Sequence, residues 1–322
     1  MLTIALGGNP NCGKSALFNQ FTGIRQKTGN WPGVTVDRKE GRFQLEQEEV
    51  TVVDLPGIYS LDAASIDEQI TRDYLLSGEA ALIVNIVDAA NLERNLYFTV
   101  QMREMGIPMV IALNMMDIAR KHGIHLDTER LSEQLGCPVV PIVAVTGEGL
   151  NELKRQIHQV AQAGEHSGFQ VTHEDTVEQA ITDLAPQFEH IDSSTSARWL
   201  ALKLLEGDTH AMTLAGPDAN PLVEEWQKII LDRAGEDADI HIADARYGHA
   251  HALAQQVIDE RGKVGRTFSD RIDKLVQNYE NPHELHSIEE LDQALENLPD
   301  NEAHDFAKLK RMGVFTALAI GI

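Results

Sequence analysis

A glycine-rich loop near the N-terminus restricts the fold of this chain more than any other stretch of its sequence. The loop reads GGNPNCGKS over residues 7–15. The apolar run Leu2–Leu6 before it predicts a buried strand, and the stretch that begins at Ala16 predicts a helix. In that setting a Gly-x-x-x-x-Gly-Lys-Ser segment predicts a phosphate-binding loop, because backbone amides and a helix N-terminus converge on the anion.

The residue types of this loop suit the chemistry of phosphate binding. Gly8 and Gly13 let the backbone approach phosphate oxygens closely. Lys14 can reach the terminal phosphates, and the Ser15 hydroxyl can bind Mg²⁺. The alternative is a glycine-rich turn without a ligand, which the flanking strand and helix disfavour.

Composition limits the partners that this chain can have. With 322 residues, 43% of them hydrophobic, it is long enough for two domains. A formal net charge of -23 repels phosphate backbones, so we expect no nucleic-acid partner. Cys12 and Cys137 form neither a disulfide framework nor a paired metal motif, which fits a reducing compartment. We expect no secretory signal and, before the apolar run at 313–322, no segment of about 20 apolar residues that spans a bilayer.

The arrangement of apolar runs predicts an α/β domain followed by an all-α domain. Up to residue 163, strand-like runs alternate with helical stretches, which predicts a mostly parallel, six-stranded sheet. The five apolar runs are Leu2–Leu6, Val50–Leu55, Ala81–Val87, Met109–Leu113 and Val139–Val143. The more polar run Arg38–Leu45 predicts a strand at the edge.

A small polar stretch at residues 163–168 reads as a linker, and strand-like runs end there. Beyond it, helical spacing of apolar residues predicts three helices, at Ser196–Glu206, Ala219–Arg233 and Ile240–Arg261. We therefore predict a nucleotide-binding domain over 1–165, a helical domain over 166–278 and, over 279–322, an acidic tail with the start of a possible membrane segment.

Two further motifs supply the partners that a phosphate loop needs. The VDLPG stretch ends an apolar strand in Asp54, a carboxylate placed to organise Mg²⁺, and Gly57 follows as a flexible sensor of the γ-phosphate. Upstream of it, the NWPGVT loop ends in Thr35, whose hydroxyl can close on Mg²⁺. The alternative for Thr35 is an ordinary turn residue.

A motif after the fourth apolar run selects the base of the nucleotide. The NMMD stretch begins at Asn114 and ends at Asp117. A carboxylate at that point can accept both the ring N–H and the exocyclic amine of guanine, a pattern that adenine does not present. The motif therefore predicts GTP rather than ATP.

The order of these motifs resembles a Ras-like GTPase of the translation-factor-related class. The strings GNPNCGKSALFNQFTG, GNWPGVTVDRKEG, VDLPGIYSL, NLERNLY and ALNMMDIA are similar to the cytoplasmic G domain of FeoB-type ferrous iron transporters. RWLALKLLEGD and IHIADARY resemble the helical domain that follows in that family and is described as acting like a nucleotide-dissociation inhibitor. The resemblance covers about residues 1–278. It implies a location at the cytoplasmic face of the inner membrane and a membrane transporter portion in the same polypeptide, and it leaves a homo-oligomer open.

The resemblance also implies a site for GTP or GDP. The nucleotide contacts would be Gly8, Asn9, Asn11, Cys12, Gly13, Lys14, Ser15, Ala16, Trp31, Gly33, Val34, Thr35, Asp54, Gly57, Asn114, Met115, Asp117, Ala144, Val145 and Thr146. The residues expected to act in hydrolysis are Asn11, Lys14, Thr35 and Gly57.

Two cations accompany the nucleotide by the same resemblance. Mg²⁺ would be bound by Ser15, Thr35 and Asp54. K⁺ would be bound by Asn11 and by backbone carbonyls around Gly29 and Trp31. The alternative for Asn11 is that its side chain braces the loop by hydrogen bonding to neighbouring backbone.

Two departures from the family pattern weaken the expected nucleotide binding, and one further residue lowers the expected rate of hydrolysis. Met115 replaces the usual lysine of the base motif, and Ala144-Val-Thr146 replaces the usual Ser-Ala. Ile58 stands where many such GTPases place a water-orienting glutamine. We therefore expect slow turnover. The alternatives are a slow GTP-dependent switch, or a ribosome-associated GTPase, which needs a basic appendage that this acidic chain lacks.

The tail and three histidines complete the list of candidate sites. Glu280–Asp305 holds nine carboxylates and no lysine or arginine, which is typical of a solvated linker. The tail is also similar to a loop and membrane helix of ZIP-type metal transporters. There His283, Glu284, His286 and Glu290 could bind a divalent metal. For His241, His249 and His251 we expect surface or core positions rather than a metal site, because helical residues two apart face different ways.

Overall fold

Nine strands lie within the part of the chain that the computed structural model describes, which comprises residues 2–23, 26–46, 48–62, 65–164, 168–188 and 196–259. They are β1 (Leu2–Gly8), β2 (Gln26–Asn30), β3 (Asp37–Leu45), β4 (Glu48–Asp54), β5 (Leu82–Asp88), β6 (Met109–Asn114), β7 (His125–Leu126), β8 (Val139–Pro141) and β9 (Ile258–Asp259). All but β7 and β9 form one seven-stranded sheet in the order β2-β3-β4-β1-β5-β6-β8. The described residues belong to one compact unit.

The sheet is parallel from β4 to β8, whereas β3 runs antiparallel to β4 and β2 antiparallel to β3. The predicted α/β class and mostly parallel sheet are confirmed, but the predicted number of six strands is wrong. So is the edge position of Arg38–Leu45, since β2 is the edge strand beside it. β2 reads QKTGN and is exposed at all five residues, so no apolar pattern marked it as a strand.

Eleven α-helices surround and follow this sheet within the described residues. They are α1 (Lys14–Thr22), α2 (Ile66–Leu76), α3 (Leu92–Glu104), α4 (Met116–Lys121), α5 (Thr128–Leu135), α6 (Leu150–Ala163), α7 (Asp175–Leu184), α8 (Ala197–Leu205), α9 (Thr209–Ala215), α10 (Asn220–Ala234) and α11 (Ala238–Val257). Short polar residues fix several starts, because their side chains accept backbone N–H groups that the first turn leaves unpaired. Ser65 and Glu68 form a reciprocal capping box at α2, and Ser196 caps α8.

The apolar core covers both faces of the sheet. On one face, alternate residues of β1 such as Ile4 pack with Phe18 of α1 and Ile157 of α6. On the other face, Ala5 of β1 belongs to an apolar cluster that also includes Leu96 of α3 and continues into the helical part of the chain. The sheet and the helical part therefore share one continuous apolar cluster.

The helical part contains the three predicted helices, as α8, α10 and α11, together with two that were missed. α7 buries residues 177, 180, 181 and 184. Apolar residues at this spacing predict a helix, so the sequence did contain the pattern. α9 has seven residues and buries only Ala211, so the sequence shows no helical spacing of apolar residues there. α11 ends at Val257, short of the predicted Arg261, because the chain turns into β9, which pairs with β7.

The remaining predictions concern possible metal ligands and membrane segments. His249 lies edge-on to Phe169, and His251 contacts Glu93, as expected for core and surface residues. In the described ranges no group of three or more His, Cys, Asp or Glu side chains is placed to hold a metal ion, and none of the helices there has the length and hydropathy to cross a bilayer. The acidic tail, including His283, Glu284, His286 and Glu290, lies outside the described residues.

Candidate nucleotide site

The predicted phosphate loop joins the carboxyl end of β1 to the first turn of α1. Its backbone takes positive φ values, 64° at Asn11 and 94° at Gly13. A Cβ atom on Gly13 would lie 2.1 Å from Nδ2 of Asn114, so only glycine fits this close approach. The side chains of Asn11 and Ser15 are exposed, Ser15 in the first turn of α1. The loop thus presents backbone amides and polar side chains at a helix N-terminus, which is a binding geometry for anions.

The predicted lysine and the predicted Mg²⁺-organising carboxylate meet directly. Lys14 Nζ lies 3.0 Å from Asp54 Oδ1, and the two side chains are only 13% and 8% exposed. They meet because β4 runs parallel beside β1, with Asp54 in register with Leu6. A phosphate would give Lys14 a second anionic partner at the same point, and Asp54 would keep oxygens for a hard cation.

The second switch segment, residues 57–76, begins against the phosphate loop. A Cβ atom on Gly57 would come within 3.3 Å of the backbone of Pro10, so the two segments are in close contact. Ile58 is buried in the apolar cluster that contains α3. Its side chain can neither reach a water molecule nor hydrogen-bond to one, which agrees with the expected absence of a water-orienting group.

The side chain of Asn114 joins the phosphate loop to the loop that follows β8. Its Nδ2 donates to the carbonyl of Cys12 at 2.8 Å, and its Oδ1 accepts from the backbone N–H of Ala144 at 2.9 Å. The structure shows Asn114 bracing two loops, and its contact with the base stays a prediction. An amide retains one further donor hydrogen and one lone pair, so bracing does not exhaust its contacts.

The Ala144–Thr146 loop has fewer donors for a base than the sequence predicted. The amide of Ala144 is taken by Asn114, and that of Thr146 donates to the carbonyl of Val143 at 3.2 Å. This leaves the amide of Val145 without a partner among the described residues. The Val145 side chain is 80% exposed, and its carbonyl accepts from Gln20 of α1 at 3.3 Å. Gln20 was missed, because nothing in the sequence links α1 to this loop.

The base motif turns sharply after β6. Met115 has a positive φ of 63° and caps α4, which places Asp117 in the first turn of that helix with its side chain exposed. Met115 is half-buried, and its terminal methyl lies 4.0 Å from the position of a Cβ on Gly13. Met115 therefore lies next to the phosphate loop, and Asp117 follows it in the first turn of α4.

The first switch segment, residues 29–36, is folded as the end of a β-hairpin. Gly29 pairs with Arg38, and the Trp31 N–H donates to the carbonyl of Val36 at 2.9 Å. The Trp31 ring is buried edge-on against Tyr74 of α2, so its indole belongs to the core rather than to the loop. Gly33 (φ 79°) and the half-buried Val34 form the turn.

Thr35 is exposed in this arrangement and makes no side-chain hydrogen bond to another described residue. The contact of Thr35 with Mg²⁺ therefore stays a prediction.

Two residues of the phosphate loop point away from the predicted ligand. Asn9 is buried and its Nδ2 donates to the carbonyl of Arg94 in α3 at 3.3 Å, a partner that the sequence did not indicate. Cys12 is buried, and burial raises the pKa of its thiol to about 11. The Cys12 side chain is thus a neutral packing group, and only its carbonyl, held by Asn114, takes part in the site.

Comparison with known proteins identifies the family. A family model described as ferrous iron transport protein B matches residues 2–157, and a model of the FeoB cytosolic helical domain matches residues 173–259. A GDP-bound NFeoB mutant from S. thermophilus is 37% identical, with a TM-score of 0.75, and the match covers 80% of this chain and 100% of that one. The chain belongs to the FeoB family.

Other FeoB proteins give the same result. The cytosolic domain of T. maritima FeoB in its GMPPNP form is 35% identical, with a TM-score of 0.72, over 80% of this chain and all of that domain. The Fe(2+) transporter FeoB of Shigella flexneri is 44% identical over 281 residues. That match covers 86% of this chain but 36% of the relative, so the chain spans about a third of the length of the curated relatives.

The close approach at Gly13 yields a first prediction. Gly13→Ala should abolish nucleotide binding in a protein that still folds, since the new Cβ collides with the Asn114 amide and the φ of 94° disfavours alanine. Fluorescent GDP binding and a thermal melt test this together. Gly248→Ala in α11 is the matched control, because a Cβ there meets open space and the residue lies outside the candidate site. Normal GDP affinity in Gly13→Ala would contradict the assigned geometry.

Proposed function

We propose that this FeoB-family chain binds GTP and GDP, hydrolyses GTP slowly, and regulates ferrous iron transport by a membrane portion of the same polypeptide. The observation that carries the proposal is the double hydrogen bond of Asn114, which joins the loop suited to phosphates to the loop suited to a base. The related S. thermophilus and T. maritima domains, in GDP-bound and GMPPNP forms, support a guanine nucleotide as the ligand.

The phosphate end of the site has the donors that a nucleoside triphosphate with Mg²⁺ requires. Lys14 and the backbone amides up to Ala16 would hold the phosphates. Ser15, Asp54 and Thr35 would hold Mg²⁺. Hydroxyl and carboxylate oxygens are ligands that Mg²⁺ prefers, and the exposed Ser15 lies next in sequence to the Lys14–Asp54 pair. Bound Mg²⁺ supplies charge neutralisation between the β- and γ-phosphates.

The base end of the site favours guanine. The exposed carboxylate of Asp117 can accept the two N–H groups of the guanine edge, and the amide of Val145, which has no partner within the described ranges, can donate to the guanine oxygen. The half-buried Met115 offers an apolar thioether to the ring plane. With a single amide for the oxygen and no lysine over the base, we expect modest nucleotide affinity.

Hydrolysis needs positive charge where negative charge develops in the transition state. Asn11 extends an exposed side chain from the phosphate loop, and its neutral oxygen suits a weakly hydrated monovalent cation. We assign K⁺ to Asn11 and to backbone carbonyls of Gly29 and Trp31 in the first switch segment. Bound K⁺ supplies the charge that an arginine supplies in other GTPases. Gly57 beside the phosphate loop offers a backbone N–H to the γ-phosphate.

A slow GTP-dependent switch is the second candidate function, and the burial of Ile58 favours it, since no side chain at that position can orient the attacking water. In the first candidate the chain hydrolyses GTP by itself, whereas in the second it holds GTP and hydrolysis is too slow to matter without a partner. A single-turnover phosphate-release assay on the chain alone distinguishes the two. A ribosome-associated GTPase has no support of this kind, because the chain carries a formal net charge of -23.

The wider role follows from the family. We assign residues 1–165 to nucleotide chemistry, 166–278 to control of nucleotide release and 279–322 to a tail leading toward the membrane portion. Nucleotide state would thereby be coupled to iron passage at the cytoplasmic face of the inner membrane.

Base selection gives a second prediction. Asp117→Asn should relax the preference for GTP over ATP by about 1–3 kcal/mol, because one acceptor oxygen becomes a misplaced donor. Competition of GTP and ATP against fluorescent GDP measures this preference. Asp232→Asn, at an exposed position of α10, is the matched control and should leave the preference unchanged. An unaltered preference in Asp117→Asn would mean that the base site is misassigned.

The cation assignment gives a third prediction. Steady-state GTP hydrolysis at saturating nucleotide should be markedly faster in K⁺ than in Na⁺ at equal ionic strength, because K⁺ fits the Asn11 oxygen and its partners. Asn11→Ala should remove the difference between the two salts while leaving GDP binding nearly intact. Equal wild-type rates in K⁺ and Na⁺ would return Asn11 to a bracing role within the loop.

A further inference from the structure

An arginine side chain lies over two buried aromatic rings, one from each switch segment. The guanidinium carbon of Arg38 in β3 is 4.7 Å from the centre of the Trp31 ring and 5.4 Å from that of Tyr74. The two rings are buried and meet edge to face, with their centroids 5.3 Å apart. A guanidinium over an aromatic face is attracted by the ring, more strongly where water is excluded. Arg38 therefore contacts both members of the ring pair that joins the first switch segment to α2.

The guanidinium of Arg38 is itself held by two carboxylates and by its strand. Its Nε donates to Glu40 Oε1 at 2.7 Å, and its Nη2 lies 3.4 Å from Glu79 Oε2. Next to it, β3 pairs with β4 over Lys39–Leu45. Charged partners on the planar fork of an arginine fix the orientation of that plane. The contact between Arg38 and the two rings therefore has a defined geometry.

The indole of Trp31 depends on contacts of its ring. Its Nε1 is buried and has no hydrogen-bond partner within the described ranges. The ring packs in the apolar cluster that also contains Tyr74, and the guanidinium of Arg38 covers it. No hydrogen bond from the indole fixes its position, so loss of the covering charge should loosen the ring.

Trp31 and Arg38 stand at the two ends of the loop that carries Thr35. The Trp31 N–H donates to the carbonyl of Val36 at 2.9 Å, and Gly29 pairs with Arg38 across the hairpin. A short loop with both ends fixed has few conformations, so less entropy is lost when a ligand orders it. Thr35 is the residue predicted to serve Mg²⁺, and this loop would therefore bind a triphosphate at a lower entropic cost.

We propose that Arg38 is a positioning residue for GTP, because it holds Trp31 against Tyr74 and thereby presets the Thr35 loop for a nucleotide that carries a γ-phosphate. The inference rests on the proposed function and identifies a residue that serves only the triphosphate form of the site. Arg38 lies in the VDRKEG stretch, residues 36–41, and has no other role in the candidate site. GDP lacks the γ-phosphate, so its binding should not depend on Arg38.

The test compares two nucleotides on the full 322-residue chain. In Arg38→Gln, affinity for GMPPNP with Mg²⁺ should fall about fivefold, whereas affinity for GDP should stay within about twofold of wild type, because only the triphosphate needs the preset loop. Competition against fluorescent GDP measures both affinities. Arg42→Gln is the matched control on the same strand. It removes an exposed pair with Glu49 and should change neither affinity.

Two further measurements separate positioning from a general loss of stability. Arg38→Lys keeps a positive charge for Glu40 and Glu79, but its ammonium covers less of the two rings. It should show the same loss confined to GMPPNP, smaller in size. Acrylamide quenching of the Trp31 emission, isolated by subtracting the emission of Trp31→Phe, should increase in Arg38→Gln and stay at the wild-type level in Arg42→Gln.

Three results would overturn the inference. They are an unchanged or tighter affinity for GMPPNP in Arg38→Gln, an equal loss for GMPPNP and GDP, and Trp31 quenching that stays at the wild-type level. A wild-type chain that fails to bind fluorescent GDP would instead overturn the proposed function, and the inference with it.

Discussion

The two hydrogen bonds of the Asn114 amide are the contact on which the candidate site depends. The parallel sheet brings the carboxyl ends of β1, β4 and β6 to one edge, but it does not fix the loops that leave them. Asn114, 3% exposed, bonds the carbonyl of Cys12 in one loop and the amide of Ala144 in another. Leaving either group unpaired in the interior costs about 1–3 kcal/mol, so the two loops are held as a unit.

The charged side chains next to these two joined loops explain how the site can respond to a ligand. Lys14 and Asp54 neutralise each other in the described arrangement, and the side chain of the exposed Thr35 has no hydrogen-bond partner among the described residues. Binding an anion at Lys14 would alter the pair and create a partner for Thr35, which is the kind of change that a switch segment follows. Buried ion pairs, such as Arg72 with Asp208, then connect that segment to the helical part of the chain.

Periodicity and short motifs predicted the parallel sheet, the phosphate loop and the helices α8, α10 and α11. Each of these depends on residue patterns that lie within one short segment of the sequence. The same reasoning missed β2, whose residues are all polar or glycine, and placed β3 at the edge. It could not predict that the Ala144 amide donates to Asn114, because a hydrogen bond between residues so far apart in sequence depends on the tertiary structure. The Mg²⁺ and K⁺ ligands and the homo-oligomer remain predictions.

Calorimetric titration of GDP into wild type and Asn114→Ala tests the central claim that one buried amide unites the phosphate and base loops. Asn85→Ala is the matched control, since Asn85 is equally buried but its amide bonds Thr99 in α3. We expect GDP affinity to fall about tenfold in Asn114→Ala, with cooperative melting retained, and to change little in Asn85→Ala. Unchanged GDP affinity in Asn114→Ala would contradict it.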